Sequence, residues 1–337
     1  MNGHSAIDIH AHYFPEAYLR LIETQGSRFD AGCDFSDPRG PMISIGGAQM
    51  PPLAHKFTDI DLRVAEMDEI GVDIHALSLT VPMVSWADGE MALRLSEAFN
   101  DSTAESHAKY PDRLYGLATL PWHDPALAVR ELDRVASIEG IRGVYSSTRV
   151  CSPNRAEDRE LSDESLYPIF ERIEDQGHTL FLHPSHVVEP ARLAKYYLTN
   201  LIGNPTESAI AGAHLIFGGI MDRYPKLEVC LPHAGGSFPY LVGRFNHGAQ
   251  VRAEMDHMEK DVVEYLRRFH YDTVSHSAKA LSYLIDLVGT DRVVLGSDYC
   301  FDMGYEHPVE VVTEHSGIDY AAAGQILGAN AKRLLGL

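Results

Sequence analysis

Five side chains carry the chemistry that this sequence can be expected to do. His10-Ala-His12 closes a short apolar run that begins at Ala6. Two histidines at i and i+2 on a strand point to the same side of a sheet, and neutral imidazoles placed so can share a metal ion. Three further residues end similar runs: His183 before Pro184, His233 before Ala234-Gly235-Gly236, and Asp298 in Gly296-Ser297-Asp298. A His-x-His pair alone is also explained as two polar residues satisfied at a strand end. Four histidines and one aspartate at the ends of four separate runs form a constellation that packing does not require.

The elements that must position these residues can be read from the pattern. Eight strand-length runs occur, at residues 6–12, 74–79, 114–120, 141–145, 179–183, 227–231, 269–272 and 293–298. Most are bounded by Gly, Pro or Asp. Helical patterns lie between them, over 61–70, 91–110, 125–138, 162–176, 206–224, 277–288 and 320–335. Alternating strands and helices predict a parallel sheet. Eight of them in 337 residues fit a single-domain α/β fold over 1–337, the (β/α)8 TIM barrel, better than an open doubly wound sheet. No Gly-x-Gly-x-x-Gly follows an early strand, so a dinucleotide-binding fold has no support. Residues 16–57 form a long Gly- and Pro-bearing excursion after strand one, expected to lie over the active-site end as a lid. In such barrels catalytic residues collect at the C-terminal ends of strands, where the five side chains fall.

The charge balance narrows the function classes. Twenty-eight Lys and Arg against 48 Asp and Glu give a net charge of −20. That argues against nucleic acid and against an anionic membrane surface as partners. The four cysteines (Cys33, Cys151, Cys230 and Cys300) are far apart, which excludes a disulfide scaffold. No apolar run approaches the roughly 18–20 residues that span a bilayer, and no secretory pattern opens the sequence. The expected location is cytoplasmic.

On these motifs the chain resembles the amidohydrolase superfamily, in the branch of 2-amino-3-carboxymuconate-6-semialdehyde decarboxylase and related nonoxidative decarboxylases. The segments carrying the likeness run from Ile7 through Pro15, Arg63-x-x-Glu66-Met67-Asp68 with Gly71-Val72-Asp73, Leu182-His183-Pro184, Pro232-His233-Ala-Gly-Gly-Ser-Phe238 with Gly243-Arg244, and Val294 through Tyr299, to Asn330-Ala-Lys-Arg333. The resemblance implies His10, His12, His183 and Asp298 as metal ligands and His233 as the acid/base residue. Members with two metals bridge them through a lysine on strand four. Ile141-Arg-Gly-Val-Tyr145 offers none, so one divalent ion is expected, Zn²⁺ on ligand type with Mn²⁺ as the alternative.

The resemblance also implies a homodimer in which Arg252 reaches a neighbouring active site and holds a substrate carboxylate with its planar fork. One departure stands out. The branch carries a carboxylate-binding arginine shortly before the helix at 61–70, whereas Met50-Pro-Pro-Leu-Ala-His-Lys56 has none. His55 or Lys56 are the substitutes at hand, His186 is a further candidate for substrate contact, and Trp86 and Trp122 could stack on a planar substrate. The departure points to a carboxylate other than aminocarboxymuconate semialdehyde.

The expected activity is metal-dependent nonoxidative decarboxylation of a small anionic aromatic or unsaturated acid, with metal-bound substrate or hydroxide and His233 as proton shuttle. The alternative is a metal-dependent hydrolase or hydratase of the same superfamily, in which Asp298 helps to open a lactone or amide.

Overall fold

The computed structural model describes residues 4–258 and 260–337. Eight strands form one sheet with every pairing parallel: β1 (Ile7–His12), β2 (Ile74–Ser78), β3 (Leu114–Thr119), β4 (Ile141–Ser147), β5 (Thr179–His183), β6 (Glu228–Leu231), β7 (Phe269–Asp272) and β8 (Val293–Val294). The chain of β8 returns to β1. Ile9 N–H donates to Leu295 O at 3.0 Å, Tyr299 N–H donates to His10 O at 3.2 Å, and Ala11 bridges Tyr299 in parallel. Helices fill the connections, giving the (β/α)8 barrel expected from the alternation.

An apolar cluster drawn from seven of the strands (Ile7, Ile9, Ala76, Leu117, Tyr145, Phe181, Cys230 and Val294) fills the barrel, joined by Ala331, Leu334 and Leu335 of the last helix. A larger cluster packs helices against the outer sheet face, for example Leu132, Phe170, Leu215, Leu266 and Leu284. The helix Pro125–Val135 shows why such segments are helical: Asp124 caps it, its side chain accepting Leu127 N–H at 3.1 Å, and proline sits in its first turn.

Several helix boundaries differ from expectation. The pattern over 206–224 is two helices, Asn204–Phe217 and Ile220–Arg223, separated at Gly218 and Gly219, the latter at φ 74°. The pattern over 320–335 holds a π turn at Gln325–Ala329. Residues 16–57 are folded rather than extended: a helix Glu16–Gln25, three short antiparallel strands (Ala31–Asp34, Met42–Ile45 and Ala48–Gln49), and a 3-10 turn at His55–Phe57. Phe57 ties the segment down, its ring 5.9 Å from Phe14 and 5.1 Å from Phe301.

Candidate metal centre and substrate cavities

A β-bulge aims the first pair of histidines. Asp8 pairs with His75 and Ala11 with Leu77, so β1 carries one extra residue between these points. Ile7 and Ile9 therefore face the barrel interior, and so do His10 and His12 after the shift in phase. Asp8 holds the bulge: its Oδ1 accepts His10 N–H at 2.9 Å and Ser297 N–H at 3.1 Å, and its Oδ2 accepts the Ser297 hydroxyl. Burial pushes the Asp8 carboxyl up to about 6 despite these bonds.

His10, His12, His183 and Asp298 are all buried, and their ligating atoms lie within 4.8 Å of one another. Imidazole ring centres are 5.0 Å apart for His10 and His12, 4.8 Å for His12 and His183, and 5.2 Å for His10 and His183. Asp298 Oδ1 lies 3.1 Å from His12 Nε2 and 3.3 Å from His10 Nε2, the latter without hydrogen-bond geometry. The four side chains form a metal-binding site.

Its electrostatics fit a cation. Burial lowers the His12 pKa to about 4 and that of His183 well below the usual range, so both are neutral donors. Burial alone would raise Asp298, but the His10 charge, the hydrogen bond with His12 and the close imidazole of His233 hold it well below the carboxylate range. Burial likewise opposes charge on His10, yet Asp298 and Asp272 outweigh it and push its pKa up to about 10. The site thus draws a proton onto His10, the positive charge that a divalent ion would bring instead. The Nε2 of His10 and the Nδ1 of His183 are buried without hydrogen-bond partners, as ligating nitrogens would be.

Asp272, at the end of β7, is the residue that spacing alone did not reveal. Its buried carboxylate accepts His10 Nδ1–H at 2.7 Å through Oδ2, fixing the tautomer that leaves Nε2 for a metal. Oδ2 also accepts His233 N–H at 3.0 Å, and Oδ1 accepts Ala234 N–H at 2.7 Å and Val274 N–H at 3.0 Å. Burial would raise Asp272, and its bond to His10 together with the His10 and His233 charges overcomes this. The only signal was its place as the last residue of the seventh run, the position that His183 occupies in the fifth.

His233 and Ala234 sit at φ 54° and 53°, in left-handed backbone that L residues rarely adopt, and the Asp272 carboxylate holds both amides there. His233 Nε2 is 3.8 Å from Asp298 Oδ2. The glycines that follow serve the turn: a Cβ on Gly236 would fall 2.2 Å from Pro205 O, and one on Gly235 would meet Tyr271.

The fully buried Arg63 lies outside the barrel wall. It donates to His12 O, lies 3.3 Å from His75 Nδ1, and stacks 4.6 Å from the Tyr299 ring.

Two cavities flank the centre, and both are lined by His233, Asp298, Asn200 and Asn204. One, of about 480 Å³, runs towards Tyr240, Val274, His276 and Tyr283. The other, of about 390 Å³, runs towards Thr80, His186, Tyr197 and Phe301. The segment from Val187 to Asn204 contributes to both walls, and spacing gave no sign of this. It carries exposed Tyr196, Tyr197, Leu201 and Ile202.

The expected substrate contacts separate. His186 lines the smaller cavity, with Ser185 Oγ and Cys151 Sγ 3.1 and 3.2 Å from its Nδ1. His55 is exposed, and its Nε2 is 3.2 Å from Pro38 O. Lys56 lines a different cavity, with Glu66, Tyr299 and Glu306. Arg252 is exposed at the end of the helix Phe238–Val251 and pairs with Glu254 at 2.8 Å, away from both cavities of its own chain. Trp122 is buried, and Trp86 lines a cavity beyond Met50 and His186. Of residues 16–57, only Met50 lines either metal-side cavity.

The family model described as Amidohydrolase matches residues 7–337. The chain belongs to the amidohydrolase family. It is 33% identical over 335 residues to 2-amino-3-carboxymuconate-6-semialdehyde decarboxylase of Dictyostelium discoideum, covering 98% of this chain and 91% of that protein. It is 31% identical over 300 residues to a gamma-resorcylate decarboxylase of Polaromonas sp., covering 85% and 90%. Among solved structures it resembles dihydroxybenzoic acid decarboxylase of Polaromonas sp. JS666, described with bound manganese and the inhibitor 2-nitroresorcinol, with a TM-score of 0.83, 25% identity, and 99% and 97% of the two chains covered. The family is the one the strand-end motifs implied, and these relatives are decarboxylases. Among the described residues, no helix is long and apolar enough to cross a membrane.

Proposed function

We propose that this chain is a metal-dependent nonoxidative decarboxylase of an aromatic or unsaturated carboxylic acid. The observation that carries the proposal is the His233 side chain, which lies beside a four-ligand site and in the wall of both cavities. His10, His12, His183 and Asp298 would hold one divalent ion. Zn²⁺ suits the ligand set, and the manganese of the Polaromonas structure supports Mn²⁺ equally. When bound, the ion supplies Lewis acidity and a fixed positive charge for substrate oxygens.

The chain's own residues do the rest. The apolar parts of the cavity walls would shield the reacting carbon from water. The bond from that carbon to the carboxylate breaks, its electron pair stays on the carbon, and the carbon takes a proton from His233 as CO₂ leaves. Solvent then reprotonates His233. Asp272 keeps His233 in place through its backbone. A homodimer in the cytoplasm belongs to the same proposal, with Arg252 serving the neighbouring subunit's cavity and residues 16–57, through Met50, closing over the site as a lid.

The test is a panel of carboxylated catechols, resorcylates, naphthoates and muconate semialdehydes offered to metal-loaded protein, with CO₂ as the readout. His233→Ala is expected to lower turnover by about 10²–10⁴-fold while metal content stays unchanged. Lactone opening without CO₂ from any acid would favour the hydrolase or hydratase alternative, with Asp298 as its base. Full activity in His233→Ala would remove the decarboxylase reading.

A further inference from the structure

We propose that the metal-side cavities select an acid with one carboxylate on an otherwise neutral, hydroxylated body, and discriminate against dicarboxylates. The inference rests on the decarboxylase reading and narrows its substrate class.

Among the described residues, neither cavity is lined by an arginine or a lysine, and the one carboxylate in their walls is Asp298. Beside the imidazoles of His183, His186, His233 and His276, the polar groups offered to a substrate body are neutral, among them the amides of Asn200 and Asn204 and the hydroxyls of Thr80 and Ser275. Burial, with the nearby Arg155 charge, lowers the His186 pKa to about 4, so it too is uncharged at neutral pH. Such groups suit hydroxyl substituents, which exchange hydrogen bonds with amides without a net charge.

The cations around the cavities lie outside their walls: Arg192 and Lys195, on the segment from Val187 to Asn204, are exposed and line neither cavity. Arg155 lines the adjoining cavity beyond Met50 and His186, with its Nε 3.5 Å from Asp158. Lys56 shares its own cavity with Glu66, Glu69 and Glu306. Arg252, where it serves a neighbouring cavity, would be engaged by the single carboxylate. A second carboxylate, held away from the metal ligands and His233, would therefore lose its hydration with no arginine or lysine in the walls to meet it. It would also enter against the −20 charge of the chain.

The experiment uses matched acids on the metal-loaded full chain: 2-hydroxybenzoate against 4-hydroxyisophthalate, which differ by one ring carboxylate. Their non-reacting counterparts, 2-nitrophenol and 4-hydroxy-3-nitrobenzoate, are titrated calorimetrically in parallel. The second carboxylate is expected to weaken binding by about tenfold or more and to lower kcat/KM in step. Asn200→Arg, in the wall of both cavities, is expected to narrow that gap. Equal or tighter binding of the dicarboxylate member in the unmodified protein overturns the inference. A binding preference with no CO₂ from either acid supports it and counts against the decarboxylase reading. CO₂ from both acids with equal binding does the reverse.

Discussion

The metal centre and the walls of its cavities are built in opposite ways. The centre stands on the ends of β1 and β5 and on the turn after β8, and all four of its side chains are buried. Around it, Asp8 fixes the bulge, Asp272 the His10 tautomer, and Arg63 the His12 carbonyl. Part of both walls comes from a connection, Val187 to Asn204, that leaves Tyr196, Tyr197, Leu201 and Ile202 exposed. Chemistry is carried by the rigid part, where a small displacement would disable it. On the proposed reading, selectivity would rest in part on the connection, which lies outside the strands of the barrel.

The contrast is sharpest in its most damaging substitution. His183→Ala removes a buried ligand, and we expect loss of bound metal by elemental analysis together with loss of turnover, while circular dichroism stays native. Retained stoichiometric metal would break the assignment of the centre. Next comes Asp272→Asn, which keeps the size of the side chain but alters what it offers to His10 Nδ1 and to the His233 and Ala234 amides. A reduction of about 10–100-fold in metal affinity or turnover is expected. An effect confined to thermal stability would reduce Asp272 to a structural role.

The same contrast explains what could be read from sequence. The eight strands and the five chemical side chains were legible because each chemical residue closes an apolar run, and run and residue reinforce each other. The division into four ligands and one acid/base residue came from the family resemblance. Asp272 closes a run too, but an aspartate at a strand end is also what an ordinary turn looks like. The bulge at Asp8 was invisible, since an extra residue leaves no mark on composition. The antiparallel strands within 31–49 are two to four residues long, too short for alternation to register. The walls at 187–204 have neither strand nor regular helical period before the π turn at Thr199–Gly203, so nothing in the pattern announced their role.

Smaller effects probe the walls. Tyr197→Ala removes one aromatic face from the smaller cavity, and about a two- to tenfold rise in KM is expected with kcat nearly unchanged. A collapse of kcat would place this segment with the rigid part. His186 gives the smallest effect, on stability. Its pKa falls from 6.5 to about 4 on folding, because burial disfavours the charged ring. The unfolded chain then binds more protons between these values, so His186 contributes stability in full above about 6.5 that is lost as pH falls towards 4. Denaturant unfolding of metal-loaded His186→Gln should show a shallower loss over that window, by roughly 1–3 kcal/mol. An unchanged slope would mean that His186 is already solvated.

The central claim is that His233 places a proton on the carbon that loses its carboxylate. Turnover of an accepted acid in D₂O, read by NMR, tests it most directly. The account predicts release of CO₂ with one deuterium at the vacated carbon, and loss of that exchange in His233→Ala. Products that retain the carboxylate, or undiminished deuterium incorporation in His233→Ala, would contradict it.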